Sequence, residues 1–245
     1  MTLLDVLAGH ADPQPLKQVA LASGLHPSTA HRILGAMVHS GFVQRGEGGT
    51  YRLGIRLLEL GNVVKSRLSL RDTAMPFMLK LHIETGESVN LGVRDGDEMV
   101  YVDRTSSGRA AVRVVHIVGA RASLHTAASG KLFLLEDGSA AVRAYAERTS
   151  LPSSTPASIT ELARLQRELV EVAREGVAYD LDEVEMGVRC IAAGIRDDNG
   201  ELIAGLSLST PSERFRLEWA PLVRNAARDI SRALGYREAE TERGS

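Results

Sequence analysis

Ser28, Thr29, His31 and Arg32 stand together in one short stretch, and Arg45 and Arg52 flank a glycine-rich turn further along the chain. Two hydroxyls, an imidazole and three guanidiniums form a set rich in hydrogen-bond donors and free of carboxylates. Such a set suits phosphate oxygens and base edges rather than acid–base catalysis. To act together, these side chains need elements that hold them in place. Residues 16–53 read as that carrier: a helix, a glycine turn, a second helix, then a glycine-tipped hairpin. The order describes a winged helix-turn-helix, whose second helix presents its N-terminal residues to the major groove.

Leu16, Val19, Ala20 and Leu21 fit a short helix, and Gly24 suits a stop that tolerates positive φ. Pro27 suits the first turn of the next helix, where its missing N–H costs nothing. Ala30, Ile33, Leu34, Met37 and Val38 follow at helical spacing and are expected to face a core. Gly41 ends that helix. Residues 42–45 and 50–53 read as strands joined by Gly46-Glu47-Gly48-Gly49. For any single residue a phosphate contact is favoured over base readout. Arg32 suits either role, and His39 reads as a solvated helix residue. Upstream, residues 3–7 read as the end of a first helix, broken by Asp12-Pro13 and Gln14-Pro15.

Bulk composition fits a globular protein with aliphatic cores: 245 residues, 44% hydrophobic, 24% charged and only 4% aromatic. The one cysteine, Cys190, excludes an internal disulfide and points to a reducing, cytoplasmic setting. No apolar run approaches the ~18 residues of a membrane span, and the N-terminus lacks the basic start of a signal peptide. The net charge of -2 conceals an asymmetry, because residues 1–70 hold seven basic and four acidic side chains. A basic head on an acidic body suits a protein that meets phosphate at one end only.

Residues 55–70 have too many apolar positions for a free surface helix, and they read as a linker that packs on its own domains or forms a dimer seam. The dimer is the favoured reading, because one head offers a small footprint. Beyond it, helices are expected at 71–84, 127–135, 140–148, 159–175 and 214–234. Strands are expected at 88–93, 99–104, 112–118, 188–195 and 202–209. Strands in hairpins flanked by helices imply an α+β sensor fold with a largely antiparallel sheet. The domain reading is 1–54 DNA-binding head, 55–70 linker, 71–237 effector-binding domain, and 238–245 as a frayed tail.

No cofactor is expected. His116, His125 and Cys190 lack the close spacing of a metal site, and Gly130-Lys131 lacks the upstream glycines of a phosphate loop. An enzyme using Cys190 would need a base near the thiol, and no histidine is near it in sequence. A head that contacts protein rather than DNA is the third alternative.

Several blocks resemble the IclR family of bacterial transcriptional regulators. They are Pro27-Ser28-Thr29-Ala30-His31-Arg32, Tyr51-Arg52-Leu53-Gly54, Gly119-Ala120, Leu124-His125-Thr126-Ala127 and Gly130-Lys131. Gly187-Val188-Arg189-Cys190-Ile191-Ala192-Ala193 and Ser207-Leu208-Ser209 complete the set. The resemblance implies a GAF-like effector domain behind the head, with dimers or dimers of dimers on double-stranded operator DNA. It also implies a small organic acid held by the amides of Gly119 and Ala120 with Asp180, Val188, Cys190, Ser207 and Ser209. Consecutive amides can hold a carboxylate without a buried cation, and Ser207 and Ser209, two apart, share one face of a strand. Ser123, Gly194 and Thr210 depart from the family's usual residues. The expected output is a regulator, not an enzyme.

Overall fold

Thr2 and Asp5 start the first helix with a reciprocal cap, the Asp5 carboxylate accepting from the Thr2 amide at 3.0 Å and Thr2 Oγ1 accepting from Asp5 N–H. The structure is a computed structural model that describes residues 2–65, 69–105 and 118–237. It divides into two units, Met1–Leu68 and Ser69–Ser245.

The first unit packs α1 (Leu3–Ala8), α2 (Leu16–Ser23) and α3 (Pro27–His39) over a small sheet. Leu3, Val6, Leu7, Val19, Ala30, Leu34, Val43 and Tyr51 fill its core. Gly24 closes α2 at φ 69°, as its position suggested. The wing strands β2 (Val43–Arg45) and β3 (Thr50–Leu53) pair antiparallel. A third strand, β1 (Gln14–Pro15), joins the other side of β3 where the sequence suggested only a break. Proline is admissible there because β1 lies at the sheet edge, where its lost N–H leaves no rung empty. Gly54 follows the wing so closely that a Cβ on it would lie 2.1 Å from the Gly41 carbonyl oxygen. Its own N–H donates to Phe42 O at 2.8 Å. Next comes α4 (Arg56–Lys65), with Ile55 and Leu58 69% and 59% exposed.

The second unit is built on a six-stranded sheet in the order β6-β5-β4-β9-β8-β7, antiparallel throughout. Its strands are β4 (Ser88–Asp95), β5 (Glu98–Thr105), β6 (Arg121–Ser123), β7 (Ala178–Leu181), β8 (Val188–Arg196) and β9 (Leu202–Pro211). One face packs on α5 (Leu70–Thr85) and α8 (Ala220–Ala233) through Val89, Leu91, Ile191, Leu206 and Leu208. The other lies under α6 (Ala128–Thr149) and α7 (Leu162–Glu175). Three glycines stand in register across this sheet, Gly92 opposite Gly205 and Gly205 opposite Gly194. The first turn of α6 settles on that row, with Ser129 Cβ 2.5 Å from where a Cβ on Gly205 would stand.

Several expected boundaries move. The helices read at 127–135 and 140–148 are both present as the two halves of α6, separated at Gly138 where the backbone leaves the helical region (φ 79°, ψ 166°). The helix read from 159 starts at Leu162, and the one read from 214 starts at Ala220 after two 3₁₀ turns. Strands β6 and β7 were not anticipated. Of the strand read at 112–118, residues 112–117 lie outside the described residues and Val118 sits in a turn. The tail at 238–245 also lies outside them. Among the described residues, no helix is long and apolar enough to cross a membrane.

Candidate functional site

In the head, Pro27 occupies the first turn of α3, and His26 before it acts as the cap, its Nδ1 accepting from the Ser28 amide at 3.4 Å. That ring nitrogen also lies 2.7 Å from Ser28 Oγ. The cap aligns the first two turns of α3, from which Ser28, His31 and Arg32 emerge exposed and Thr29 half-buried. On the wing, Arg52 stands opposite Gln44 and donates from Nε to its Oε1 at 3.0 Å. Arg45 stands opposite Tyr51, one residue out of phase, so the two guanidiniums leave opposite faces of the hairpin. His26 was missed because histidine is not a usual cap residue; its place directly before Pro27 was the available signal.

In the second unit, Asp180, Cys190 and Ser209 lie in one row across three strands, Asp180 opposite Cys190 and Cys190 opposite Ser209. All three are buried on the α6 face. Cys190 Sγ lies 3.1 Å from Ser209 Oγ, and Cys190 also hydrogen-bonds the Asp180 side chain. Burial first, and then the charge of Asp180, push the thiol well above its ordinary range, which disfavours the thiolate. Asp180 Oδ1 accepts from the amides of Glu183 at 2.7 Å and Val184 at 3.3 Å. Burial nevertheless raises its carboxyl to about 7, an effect that the Glu183 amide opposes and the Glu183 charge reinforces. Val188 and Ser207 extend the same face along β8 and β9.

Gly119 and Ala120 stand at the other end of this face, beside β5. The Gly119 amide donates to Tyr101 O at 2.7 Å, and Ala120 O accepts from Tyr101 N–H at 3.0 Å. The Gly119 amide that the resemblance assigned to a carboxylate therefore holds a backbone rung in this structure. Tyr101 links the two ends: it stands opposite Gly92, is buried, and its hydroxyl is raised by burial and by the nearby Cys190 and Asp180.

Three further groups on this face were not anticipated. A β-bulge between Leu91 and Gly92 shifts the phase of β5, so that Arg104 stands opposite Asn90. Arg104 Nη2 donates to Ser88 Oγ at 3.0 Å, bringing a guanidinium to the region. Asn90 stands opposite Ser207 and donates from Nδ2 to Ser209 Oγ at 2.9 Å. Ser129 lies on the first turn of α6 above Gly205. The alternation Ser88-Val89-Asn90-Leu91 was the signal for Asn90; for Ser129 and the bulge the sequence held none. Among the described residues, no three His, Cys, Asp or Glu side chains gather to hold a metal ion.

The chain matches two family models, the IclR helix-turn-helix domain over residues 1–47 and the bacterial transcriptional regulator IclR C-terminal domain over residues 62–232. It is 32% identical to the HTH-type transcriptional regulator XynR of Escherichia coli K12, covering 96% of this chain and 95% of that one. The repressor BlcR of Agobacterium tumefaciens has a similar structure, with a TM-score of 0.87 at 27% identity over 96% of this chain and 95% of that one. An IclR homologue from Microbacterium hydrocarbonoxydans, solved with 4-hydroxybenzoate, aligns with a TM-score of 0.63 at 29% identity over 95% of each chain. These relatives are regulators, not enzymes, and both halves of this chain match: it belongs to the IclR family of bacterial transcriptional regulators.

Proposed function

We propose that this regulator binds double-stranded operator DNA as a homodimer or dimer of dimers, and that a small organic acid on the α6 face of its second unit controls that binding. Ser28, Thr29, His31, Arg32, Arg45 and Arg52 form the DNA-contacting set. Gly119, Ala120, Asp180, Val188, Cys190, Ser207 and Ser209 line the effector site. The observation that carries the effector half is the buried row Asp180–Cys190–Ser209, polar groups gathered inside a domain where apolar side chains would pack more cheaply. The guanidinium of Arg104 and the uncapped N-terminus of α6 favour an anion there. The 4-hydroxybenzoate held by the Microbacterium relative is an acid of this class.

Dimerisation through α4 is supported by the exposed Ile55 and Leu58 at its start, and it would fix the spacing of two heads on two half-sites. An effector changes occupancy only if the DNA-competent and incompetent states bind it with different affinity. Repression is the proposed sign, following BlcR.

The test is a mobility-shift titration of the full chain on a fragment of its own promoter, with and without added small acids. Sequence-selective binding that weakens with salt and shifts with an acid is the expected result. Binding that is neither selective nor salt-sensitive would sink the DNA half. An acid series that leaves both Tm and DNA affinity unmoved would sink the effector half.

A further inference from the structure

Among the described residues, the buried side-chain atoms without a hydrogen-bond partner include Asn90 Oδ1 and Ser129 Oγ on the α6 face. Asn90 is 0% and Ser129 3% exposed. A buried polar atom left unpaired costs about 1–3 kcal/mol, so such atoms ask for an explanation. The rest of the network fixes what is missing. Asn90 Nδ2 is already used as a donor to Ser209 Oγ, which adjoins Cys190, which in turn bonds Asp180. The remaining Asn90 atom is therefore an acceptor, and it lacks a donor. Ser129 stands over Gly205, and Asn90 stands opposite Ser207, two residues further along β9. That offset is about 7 Å along a strand, within the span of a small molecule. Ser129 lies in the first turn of α6, whose N-cap residue Ala127 offers no side-chain cap, so its surroundings repel a cation.

We infer that Asn90 and Ser129 are specificity-determining residues that read a hydroxyl group on the effector, so that the regulator answers to hydroxylated acids over their deoxy counterparts. The hydroxyl donates to Asn90 Oδ1 and accepts from Ser129 Oγ. An ammonium, which has no acceptor for Ser129 and faces the positive end of α6, fits worse. The inference rests on the acid-effector reading above for the carboxylate and on the two orphaned atoms for the hydroxyl. A site built to bond a hydroxyl discriminates strongly against the analogue that lacks it.

The experiment measures Kd by calorimetry on the full chain for matched probes: lactate with propionate, mandelate with phenylacetate, gluconate with hexanoate. Glycerol and xylitol serve as neutral hydroxyl probes. In at least one pair the hydroxy acid is expected to bind ten-fold or more tightly than its partner, with the preference falling below three-fold in Asn90→Ala and in Ser129→Ala. Ser129→Ala removes an unpartnered hydroxyl, so it retains the fold even where Asn90→Ala does not. Deoxy acids that bind as tightly as hydroxy acids, or a preference unchanged in Ser129→Ala, would overturn the inference while leaving the acid reading intact. Polyols that bind and lose affinity in the variants, with no acid binding, would overturn the acid reading and with it the preference for hydroxylated acids, leaving only the hydroxyl contact of Asn90 and Ser129 standing. No binding by any probe overturns both.

Discussion

Lys131 Nζ lies 2.6 Å from Glu183 Oε1, with both side chains buried. The same ammonium donates to Tyr179 O at 2.7 Å and meets Glu168 at 3.2 Å. The pair ties α6 to the segment that follows β7, and the Glu183 amide in turn holds Asp180. Removing one partner strands a buried charge, which costs about 3–5 kcal/mol. Lys131→Met is therefore expected to lower Tm by roughly 6 °C or more, and Lys131→Met with Glu183→Gln to recover over half of that loss. Thermal melts of the three proteins check this; equal melting of single and double variants would count against it.

Asp180 gives a pH dependence of defined sign. Its carboxyl is raised from 3.8 to about 7 in the folded protein. Between those values the folded state holds a proton that the unfolded state has released. Stability from this group thus falls as pH rises from about 4 to about 7, by at most about 1.4 kcal/mol per pH unit, and levels off above. An Asp180→Asn substitution would keep an oxygen for the Glu183 and Val184 amides without the ionisation. The Tm difference between that variant and the wild type is expected to move in favour of the variant from pH 5 to pH 8. A constant difference would refute the assignment.

The head predicts a division of labour among its arginines. Arg45→Ala and Arg52→Ala are expected to weaken binding to all duplexes alike, each lowering the slope of log K against log salt by about 1. Arg32→Ala, on the first turns of α3, is expected to cost about 1–3 kcal/mol on the operator and less on unrelated DNA. Salt titrations on both duplexes separate the two behaviours.

Gly54→Ala tests the junction after the wing. The new methyl would lie 2.1 Å from the Gly41 carbonyl oxygen, and backbone cannot swing aside as a side chain can. The expected cost is at least about 2 kcal/mol, seen as an early melting transition of the head and a loss of DNA binding. Acid binding by the second unit should persist.

How much of this was legible in the sequence follows physical lines. Gly24, Pro27 and Gly41 punctuate the head because helix ends need special backbone residues, so α2 and α3 could be placed. A spacing of two put Ser207 and Ser209 on one face of their strand, but the pairing of Ser209 with Cys190 depends on register, which only the folded sheet fixes. Short strands such as β1, β6 and β7 carry too few residues to show a period. Arg104 reaches the site only through a bulge, and Ser129 only through the close approach of α6 to Gly205. Neither leaves a trace in local spacing. The Gly119 amide could be singled out by resemblance, but its rung to Tyr101 could not.

The glycine row Gly92, Gly205, Gly194 has a bearing on how such a sensor changes its ligand. A Cβ on Gly205 would meet Ser129 Cβ at 2.5 Å, so alanine there must lift α6 away from the sheet. The separation of α6 from the polar face is thus set at Gly205, a residue with no side chain to touch a ligand. Swapping lining residues would alter which groups are recognised, whereas a single added methyl under the helix would alter how large a molecule fits. If the proposed site holds the effector, selectivity for chemical group and selectivity for size would rest on different residues and could drift independently.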